Sequence, residues 1–406
     1  MKVMGDLMYR DTYIEVNLDL LKSNVKSIIE NYPEYQYYIG VVKGNGYGHG
    51  AYIINALIEQ GINYLAVSSL EEAIELREMH SHIPILCLEP ISIQYIELAY
   101  QNNITLTVSS LRYIDELLKV LPNAKDLKIH IKVNTGMNRL GFKNRNDLEK
   151  GYEIIREKYT LEGIYTHLIT TGISDPFWDK QIQTFKYLTE KIPLDEIPIV
   201  HIGRSITMVN HPKLEMCNGI RLGIIMYGFD QTPKPLSTWK GKLKQYKAKW
   251  RIKKYNISPT TLNCKAILEP AFSLYSRIIE IQEIEKGEHV GYGLGYTASE
   301  KERIAIVPIG YADGFNRNNT GRQVFIKNKK YTIIGSVNMG MIQIKVDSQI
   351  KEGDIVELMG KHIPIRYVAS YLKTTPYECM CMLSDSLPRI YIQNNKVVHI
   401  ERRKIK

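Results

Sequence analysis

Short apolar segments rich in β-branched residues alternate with amphipathic segments through the first half of the chain. Stretches such as Leu70–His80, Ser109–Leu121 and Asp147–Lys158 place apolar residues three and four positions apart, which predicts helices with one buried face. Eight apolar segments are predicted as strands: Tyr38–Lys43, Tyr64–Ser68, Pro84–Glu89, Ile104–Val108, Leu127–Val133, Gly163–His167, Pro198–Ile202 and Ile220–Tyr227. This alternation predicts a (β/α)8 barrel with a buried parallel sheet, and a doubly wound open sheet is the alternative.

After Pro270 the pattern changes to alternating apolar and polar positions without long amphipathic segments. Strands are predicted within Phe272–Gln282, Glu302–Ile309, Gln323–Lys327 and Val337–Val346, a helix at Ile365–Leu372, and a hairpin at Ile390–Arg402. We therefore expect an α/β chain with a barrel at 12–228, a basic connecting segment at 229–269, and a mostly β domain at 270–406. Residues 1–11 are expected to pack with that second domain.

The composition indicates a folded protein of two domains. The chain has 406 residues, of which 44% are hydrophobic and 24% charged, and these values exclude disordered and coiled-coil classes. No apolar run approaches the roughly 18 residues that span a bilayer, and the start of the chain lacks a signal-type apolar region, so we expect a cytoplasmic protein without a membrane partner. The five cysteines are widely spread, and neither a disulfide framework nor a metal site is expected.

The net charge of +10 is concentrated in one segment. Eight basic and no acidic residues lie between Lys240 and Lys254, which leaves the rest of the chain at +2. Such a run could contact the phosphates of a nucleic acid. The flanking prolines Pro233, Pro235 and Pro259 instead favour a solvated connector, so nucleic acid is not the expected partner.

Polar residues cluster where the predicted barrel strands end, which is where the chemistry of such barrels takes place. The first strand ends at Lys43, and a lysine at the end of a buried strand is costly unless it is paired or used, for example as a Schiff base with an aldehyde. The other residues at strand ends are Lys132 and Arg139 at the fifth strand, His167 at the sixth, His201 and Ser205 at the seventh, and Arg221 and Gly223 at the eighth. Each alone is compatible with a structural role, but their convergence predicts a functional site.

Five separated motifs, in order, resemble those of the alanine racemase family from about Thr12 to Arg389. They are Lys-Gly-Asn-Gly-Tyr-Gly-His-Gly (43–50), His-Ile-Lys-Val-Asn-Thr-Gly-Met-Asn-Arg-Leu-Gly (130–141), Ile-Arg-Leu-Gly-Ile-Ile-Met-Tyr-Gly (220–228), Val-Gly-Tyr-Gly-Leu-Gly-Tyr (290–296) and Ile-Gly-Tyr-Ala-Asp-Gly (309–314). The resemblance implies pyridoxal 5′-phosphate as cofactor, a small amino acid as substrate and a homodimer with shared active sites. Lys43 would hold the cofactor and act as one base, and Tyr292 of the partner subunit would act as the base on the opposite face of Cα.

Further roles follow from the same resemblance. Arg221 would bond the pyridine nitrogen, with His167 and His201 in the polar chain beside it. Arg139 would face the phenolic oxygen of the cofactor and the substrate carboxylate, and Lys132 would be carbamylated to orient Arg139. The phosphate would be held by Tyr47, Ser205 and the backbone N–H groups of Gly223 and Ile224, and the substrate entrance would be lined by Tyr311 and Met339.

Three positions depart from the family pattern. Gly340 stands where an aspartate is usual, Asp385 where many members have a tyrosine, and Arg204 where an asparagine precedes Ser205. One interpretation is a pocket rebuilt for serine or a basic amino acid, with Asp385 as the partner of its side chain. In the other, position 385 tolerates variety, Asp385 faces solvent, and alanine is the substrate.

Two further alternatives remain at this point. A decarboxylase of the same cofactor class would share the barrel, Lys43 and the β domain, but it would place a carboxylate rather than Arg221 against the pyridine nitrogen. A non-catalytic pyridoxal-phosphate-binding protein would lack the second domain, whereas this chain retains that domain and Tyr292. The sequence therefore favours an amino-acid racemase acting on alanine.

Overall fold

The computed structural model describes residues 9–171, 175–230 and 263–402, together with seven positions between 239 and 254. The chain divides into two compact units. The barrel unit comprises Lys22–Gly44 and Ile54–Glu269, and the β unit comprises the residues up to Leu21, Asn45–Ile53 and those from Pro270 onward. Most of the basic run between Lys240 and Lys254, predicted as a connector, lies outside the described residues.

Eight parallel strands form the sheet of the barrel unit, which confirms the predicted fold class. They are Tyr37–Val41, Tyr64–Val67, Ile85–Cys87, Ile104–Val108, Lys128–Lys132, Thr160–Tyr165, Ile199–His201 and Gly219–Leu222. Each of the first six strands pairs with the next, and the first also pairs with the eighth, with Ile39 opposite Arg221. Between the seventh and eighth strands a single parallel bridge joins Arg204 to Arg221, so the sheet is a nearly closed barrel.

One helix precedes the first barrel strand and others lie between the strands, including helices at the three stretches predicted from their amphipathic pattern. The helices are Leu18–Asn31, Ile54–Ile58, Leu70–Met79, Ile96–Gln101, Leu111–Val120, Arg145–Lys158, Pro176–Leu188 and Ser205–Asn210. Five begin after a residue whose side chain accepts a hydrogen bond from a free N–H of the first turn: Asn17, Ser69, Ser110, Asn144 and Asp175. Local capping therefore fixes where these helices start.

Most strand ends differ from the predictions by one or more residues, and two of the larger differences have a visible cause. The first strand stops at Val41, because the residues from Gly44 adopt positive φ angles and cannot continue a strand. The eighth stops at Leu222, because the chain then forms consecutive three-residue turns, in which the N–H of Met226 donates to the Gly223 carbonyl. Lys43 therefore lies beyond the first strand rather than in it.

The β unit contains a ten-stranded sheet. Its strands, in spatial order, are Glu280–Ile284, Glu302–Val307, Ile342–Val346, Lys329–Ile334, Gln323–Ile326, Ile355–Met359, Phe272–Arg277, Tyr13–Asn17, Arg389–Gln393 and Lys396–Glu401. A separate two-stranded ribbon joins His289–Val290 to Tyr296–Thr297, and two helices span Ile365–Tyr371 and Pro376–Cys381. The expected C-terminal hairpin is present, with Asn394 and Asn395 both at positive φ as a type I′ turn requires.

The strand Tyr13–Asn17 belongs to the β unit, although the sequence analysis placed residues from 12 onward in the barrel. It pairs antiparallel with Phe272–Arg277 and parallel with Arg389–Gln393. The fully buried Ile14 and Val16 explain this placement, since they alternate with more exposed residues as in a strand with one buried face. Over the described part of the chain, no helix is long and apolar enough to cross a membrane.

Candidate active site

The polar residues predicted from the strand ends do lie at the carboxyl ends of the barrel strands. Lys132 and His201 are the last residues of the fifth and seventh strands, and Arg221 lies within the eighth. His167 follows the sixth strand by two residues, and Lys43 follows the first by two. Barrel strands therefore position Lys132, His201 and Arg221, whereas Lys43 and His167 lie just beyond strand ends.

Lys43 opens a short helical turn, Lys43–Tyr47, that is left-handed. The φ angles of Gly44, Asn45, Gly46 and Tyr47 are 64°, 50°, 60° and 54°. L-residues avoid this region because Cβ approaches the following carbonyl oxygen, whereas glycine and, less readily, asparagine tolerate it. The alternating glycines of this motif are thus a requirement of the backbone that carries Lys43.

A carboxylate of the barrel unit anchors the start of this turn. Glu72 Oε1 accepts a hydrogen bond from the N–H of Gly44 at 2.5 Å, and Glu72 Oε2 accepts one from the N–H of Ser68 at 2.9 Å. Glu72 lies in the first turn of the helix Leu70–Met79. One side chain therefore ties the turn after the first strand to the end of the second strand.

The later part of the turn is held within the β unit. Asn45 Nδ2 donates to Asp385 Oδ1 at 2.9 Å, and the same oxygen accepts from Arg389 at 2.8 Å. Arg389 Nε also donates to the carbonyl of Gly48 at 2.9 Å, and the hydroxyl of Tyr391 donates to the carbonyl of His49 at 3.0 Å. Asp385, predicted as a substrate-side residue, is thus an ion-pair partner of a buried arginine.

Lys132 is buried at the end of the fifth strand. Its Nζ lies 3.4 Å from the carbonyl oxygen of Leu88 and 5.3 Å from the centroid of the Tyr165 ring. Burial lowers the pKa of Lys132 to about 8, and the positive charges of Arg139 and Arg221 act in the same direction. A substantial fraction of this amine is therefore neutral near pH 8.

Arg221 is the most constrained cation of the site. Its guanidinium is buried and donates to His201 Nδ1 at 2.7 Å and to the carbonyls of His201, Thr166 and Ile202 at 2.6, 2.7 and 3.0 Å. Burial lowers the pKa of Arg221 to about 10, so the group stays charged at neutral pH. The hydrogen bonds fix a donor-only group at the end of the barrel strands.

His201 continues this arrangement into the barrel. Its ring stacks on Tyr165 with 4.6 Å between centroids, and its Nε2 lies 2.9 Å from Nδ1 of His130. Nε2 of His130 in turn lies 3.3 Å from Glu162 Oε2. His130 and Glu162 are not among the residues predicted from the sequence. Both lie on barrel strands that end at or near predicted site residues, and His130 is the first residue of the second motif.

His167 lies among positive charges. Burial, together with the positive charges of Arg221, Arg204 and Arg139, lowers the pKa of His167 to about 2. The imidazole is therefore neutral. Since cations dominate around it, the carboxyl end of the barrel suits a ligand with anionic groups, such as a phosphate and a carboxylate.

The residues predicted to hold the phosphate fall into two groups. Ser205 Oγ accepts a hydrogen bond from the N–H of Gly223 at 2.9 Å, with the buried Ile224 next along the chain. Ser205 opens a short helix whose cap, Arg204, donates its N–H to the hydroxyl of Thr207. Tyr47 is in the β unit, where its ring packs 5.7 Å from that of Tyr377. Ser205 and Gly223 thus form one hydroxyl and amide cluster.

Tyr292, Tyr311 and Met339 all lie in exposed loops of the β unit. Tyr292 is 75% exposed, and its carbonyl accepts a hydrogen bond from Ser336 Oγ at 3.0 Å. The loops of Tyr311 and Met339 are joined by a backbone hydrogen bond from the N–H of Ala312 to the Met339 carbonyl. A side chain at Gly340 would meet no atom within 4 Å, so packing does not explain the missing aspartate.

Among residues 9–171, 175–230 and 263–402, no group of three or more His, Cys, Asp or Glu side chains is arranged to hold a metal ion. Cys87, Cys217, Cys264 and Cys379 are free thiols. The site is instead built from cationic groups, neutral imidazoles and tyrosines.

Comparison with known proteins agrees with this architecture. Residues 16–231 match the family model "Alanine racemase, N-terminal domain", and residues 271–391 match "Alanine racemase, C-terminal domain". The alanine racemase of Halalkalibacterium halodurans is 33% identical over 97% of this chain and 98% of its own length. That of Streptococcus equi subsp. equi is 34% identical over 95% of this chain and 99% of its own length.

Solved structures give the same result. The crystal structure of alanine racemase from Bacillus anthracis with bound L-Ala-P superposes with a TM-score of 0.84 at 32% identity, over 97% of this chain and 98% of that one. A histidine racemase from Leuconostoc mesenteroides subsp. sake superposes with a TM-score of 0.80 at 25% identity, over 95% of this chain and 99% of that one. On the strength of both family models and of these full-length relatives, the chain belongs to the alanine racemase family.

Proposed function

We propose that this protein binds pyridoxal 5′-phosphate and interconverts L- and D-alanine. The observation that carries the proposal is the placement of Lys43 on a rigid left-handed turn at a barrel end, where the neighbouring groups are cations and a neutral histidine. This donor set fits an anionic aldehyde cofactor. When bound, the cofactor supplies an electron sink that stabilises negative charge at the substrate Cα.

Different residues of the barrel unit bind different parts of the cofactor. Lys43 would provide the amine that holds the aldehyde carbon, and Ser205 with the N–H groups of Gly223 and Ile224 would bind the phosphate. Arg221 donates a hydrogen bond to the pyridine nitrogen. Because a guanidinium does not readily release a proton, Arg221 would leave the pyridine nitrogen unprotonated and would so restrain the electron-sink chemistry that the cofactor supplies.

Arg139 binds the negative charges of substrate and cofactor, and a carbamylated Lys132 orients Arg139. The guanidinium of Arg139 suits bidentate contact with a carboxylate. The neutral amine of Lys132 can add to carbon dioxide: its nitrogen forms a bond to the carbon and loses a proton to water, giving a carbamate of charge −1. The lowered pKa of Lys132 and the nearby positive charges of Arg139 and Arg221 support this modification.

Racemisation requires a proton to leave one face of Cα and arrive on the other, so two bases are needed. We assign Lys43 Nζ to one face and the hydroxyl of Tyr292, from the partner subunit of a homodimer, to the other. The exposure of Tyr292 in the single chain is consistent with this role, because a residue that completes a partner's site must project from its own subunit.

Alanine is the favoured substrate. A pocket for a basic amino acid would need a free carboxylate, but Asp385 is already engaged by Arg389 and Asn45. A non-catalytic role is disfavoured because Lys43, Tyr292 and the β unit are all retained. We place the enzyme in the cytoplasm, where it would supply D-alanine for cell-wall synthesis.

Borohydride trapping tests the proposed role of Lys43. The protein is loaded with pyridoxal 5′-phosphate, reduced with borohydride, digested and analysed by mass spectrometry, and racemisation of both alanine isomers is measured in parallel. We expect the reduced cofactor on the peptide that contains Lys43, no labelling or racemisation in Lys43→Ala, and normal behaviour in the surface variant Lys26→Ala. Labelling at another lysine, or racemisation that survives Lys43→Ala, contradicts the proposal.

A further inference from the structure

We propose that Glu162 and His130 are positioning residues for Arg221, because they fix His201 in the one tautomer that can accept the hydrogen bond of Arg221. The proposal rests on the proposed function, in which Arg221 meets the cofactor. None of the predicted roles includes Glu162 or His130. Neither residue approaches substrate or cofactor in this scheme, and both act through His201.

The four side chains form one continuous hydrogen-bonded row inside the barrel. Arg221 to His201 Nδ1 measures 2.7 Å, His201 Nε2 to His130 Nδ1 measures 2.9 Å, and His130 Nε2 to Glu162 Oε2 measures 3.3 Å. All four residues are buried, His130 and His201 completely. They come from the eighth, seventh, fifth and sixth strands, so rigid elements set their spacing.

The polarity of this row follows from Arg221. A guanidinium has only N–H donors, so Nδ1 of His201 must be an unprotonated acceptor. A neutral His201 then carries its proton on Nε2 and donates to Nδ1 of His130. By the same reasoning His130 carries its proton on Nε2 and donates to Glu162. This one arrangement of protons satisfies every contact in the row. Protonation of either histidine would place two N–H donors opposite each other without an acceptor.

Glu162 closes the row with a negative charge. Burial opposes ionisation of this carboxyl, but hydrogen bonds from His130, Lys128 and Tyr64 prevail and lower the pKa of Glu162 to about 2. The contacts are short, with Lys128 at 2.7 Å and the Tyr64 hydroxyl at 2.6 Å. Burial likewise lowers the pKa of His130 and that of His201, so both rings stay neutral between a cation and an anion.

This arrangement gives the acid a function beyond packing. Without an acceptor at position 162, the Nε2–H of His130 is buried and unsatisfied, and the ring gains by moving its proton to Nδ1. The Nε2–H of His201 would then lose its acceptor on His130. The proton of His201 would have to move to Nδ1, the nitrogen that faces Arg221. Arg221 would lose one of its hydrogen bonds and with it part of its orientation.

Two substitutions separate the hydrogen bond from the charge. Glu162→Gln keeps an amide oxygen that can accept from His130, and Glu162→Leu removes the acceptor at similar volume. Glu149→Gln is the matched control, because Glu149 forms ion pairs with Arg145 and Lys191 on the surface of the same unit. Histidine tautomers are read from long-range ¹H–¹⁵N spectra of ¹⁵N-histidine-labelled holoenzyme, assigned with His130→Gln and His201→Gln.

In the wild-type protein we expect both rings to carry the proton on Nε2 from pH 6 to 8. Glu162→Leu should change the tautomer of His130 and lower kcat for alanine about 5- to 150-fold, the range typical of a buried group left without its partner. Glu162→Gln should restore both tautomers and most of kcat, and Glu149→Gln should match the wild type.

Three results would overturn the proposal: a wild-type His201 protonated on Nδ1, wild-type tautomers and kcat in Glu162→Leu, or a Glu162→Gln variant as impaired as Glu162→Leu. If Glu162→Leu does not fold, the tautomers of the wild-type protein and the tautomers and kcat of Glu162→Gln still test the proposal. The spectra do not depend on racemisation, so they test the row even if the wild-type protein leaves alanine unchanged, a result that would count against the proposed function instead.

Discussion

Asp385 Oδ1 lies 2.8 Å from a guanidinium nitrogen of Arg389, a side chain that is only 1% exposed. Arg389 also donates to the carbonyl of Gly48, and Asp385 accepts from Asn45. The acid at this unusual position therefore balances a buried cation and helps to hold the glycine-rich turn. We expect this structural role for Asp385 rather than a role as the partner of a substrate side chain.

Replacing Asp385 tests this interpretation against a role in specificity. We expect Asp385→Ala to lower the free energy of unfolding by about 1–2 kcal/mol, because a buried arginine loses its nearest anion while the acid itself is largely solvated. The order of kcat/KM among alanine, serine and lysine should not change. Denaturant unfolding and kinetics on the three amino acids measure both quantities. Glu283→Ala, which breaks an exposed ion pair with Lys301, is the control for stability. A variant whose substrate order changes would make Asp385 a specificity residue.

The two-base scheme makes an asymmetric prediction for Tyr292. In Tyr292→Phe, proton abstraction from L-alanine should collapse, whereas exchange of the α-proton of D-alanine on the Lys43 face should partly survive. The measurement is deuterium incorporation into each isomer by proton NMR, with the exposed Tyr187→Phe as control. Equal losses in both directions would count against the assignment of Tyr292 to one face.

Lys132 should make activity depend on carbon dioxide. Because only the neutral amine reacts and the pKa of Lys132 is about 8, lowering the pH favours the ammonium form and loss of the carbamate. We expect activity to fall after equilibration in carbonate-free buffer near pH 6.5 and to return with bicarbonate at pH 8. A carbamate signal from ¹³C-bicarbonate should appear in the wild type and be absent from Lys132→Ala. Full activity without carbonate, or the same signal in the variant, would contradict this modification.

Buried neutral histidines should make the fold sensitive to acid. Burial lowers the pKa of His49 to about 3 and that of His167 to about 2, against 6.5 in the unfolded chain. Below pH 6.5 the unfolded state therefore binds more protons, and stability falls as the pH decreases towards those lower values. Each such histidine contributes up to about 1.4 kcal/mol per pH unit. Urea unfolding at pH 7, 6 and 5 measures the slope, and a flat profile would show that these rings are not buried and neutral.

Much of the barrel could be predicted from the sequence because its signals are local. Amphipathic stretches and caps such as Ser69 and Ser110 fix the helices, and continuous apolar runs fix the strands. The strand Tyr13–Asn17 could not be placed in the same way, because its parallel partner Arg389–Gln393 lies at the other end of the chain. Local pattern does not determine such long-range pairing.

The site residues divide in the same way, into those with a local signal in the sequence and those placed by long-range contacts. Lys132, His201 and Arg221 were found because they lie at strand ends, where a polar residue stands out against an apolar run. Glu162 was missed because an acid near the start of a strand ordinarily faces solvent, and only the closed barrel turns it inward to His130. The left-handed turn after Lys43 was also missed, since glycines permit positive φ without requiring it.

The most direct test of the central claim is to incubate the cofactor-loaded protein in D₂O with L-alanine, L-serine, L-lysine and L-ornithine in separate reactions. Loss of the α-proton is followed by NMR and formation of the D-isomer by chiral chromatography. The account predicts that alanine exchanges and racemises fastest, with D-alanine approaching an equal mixture with L-alanine. Bound cofactor with neither exchange nor D-isomer on any substrate would contradict a racemase, and faster racemisation of serine or a basic amino acid would contradict alanine as its substrate.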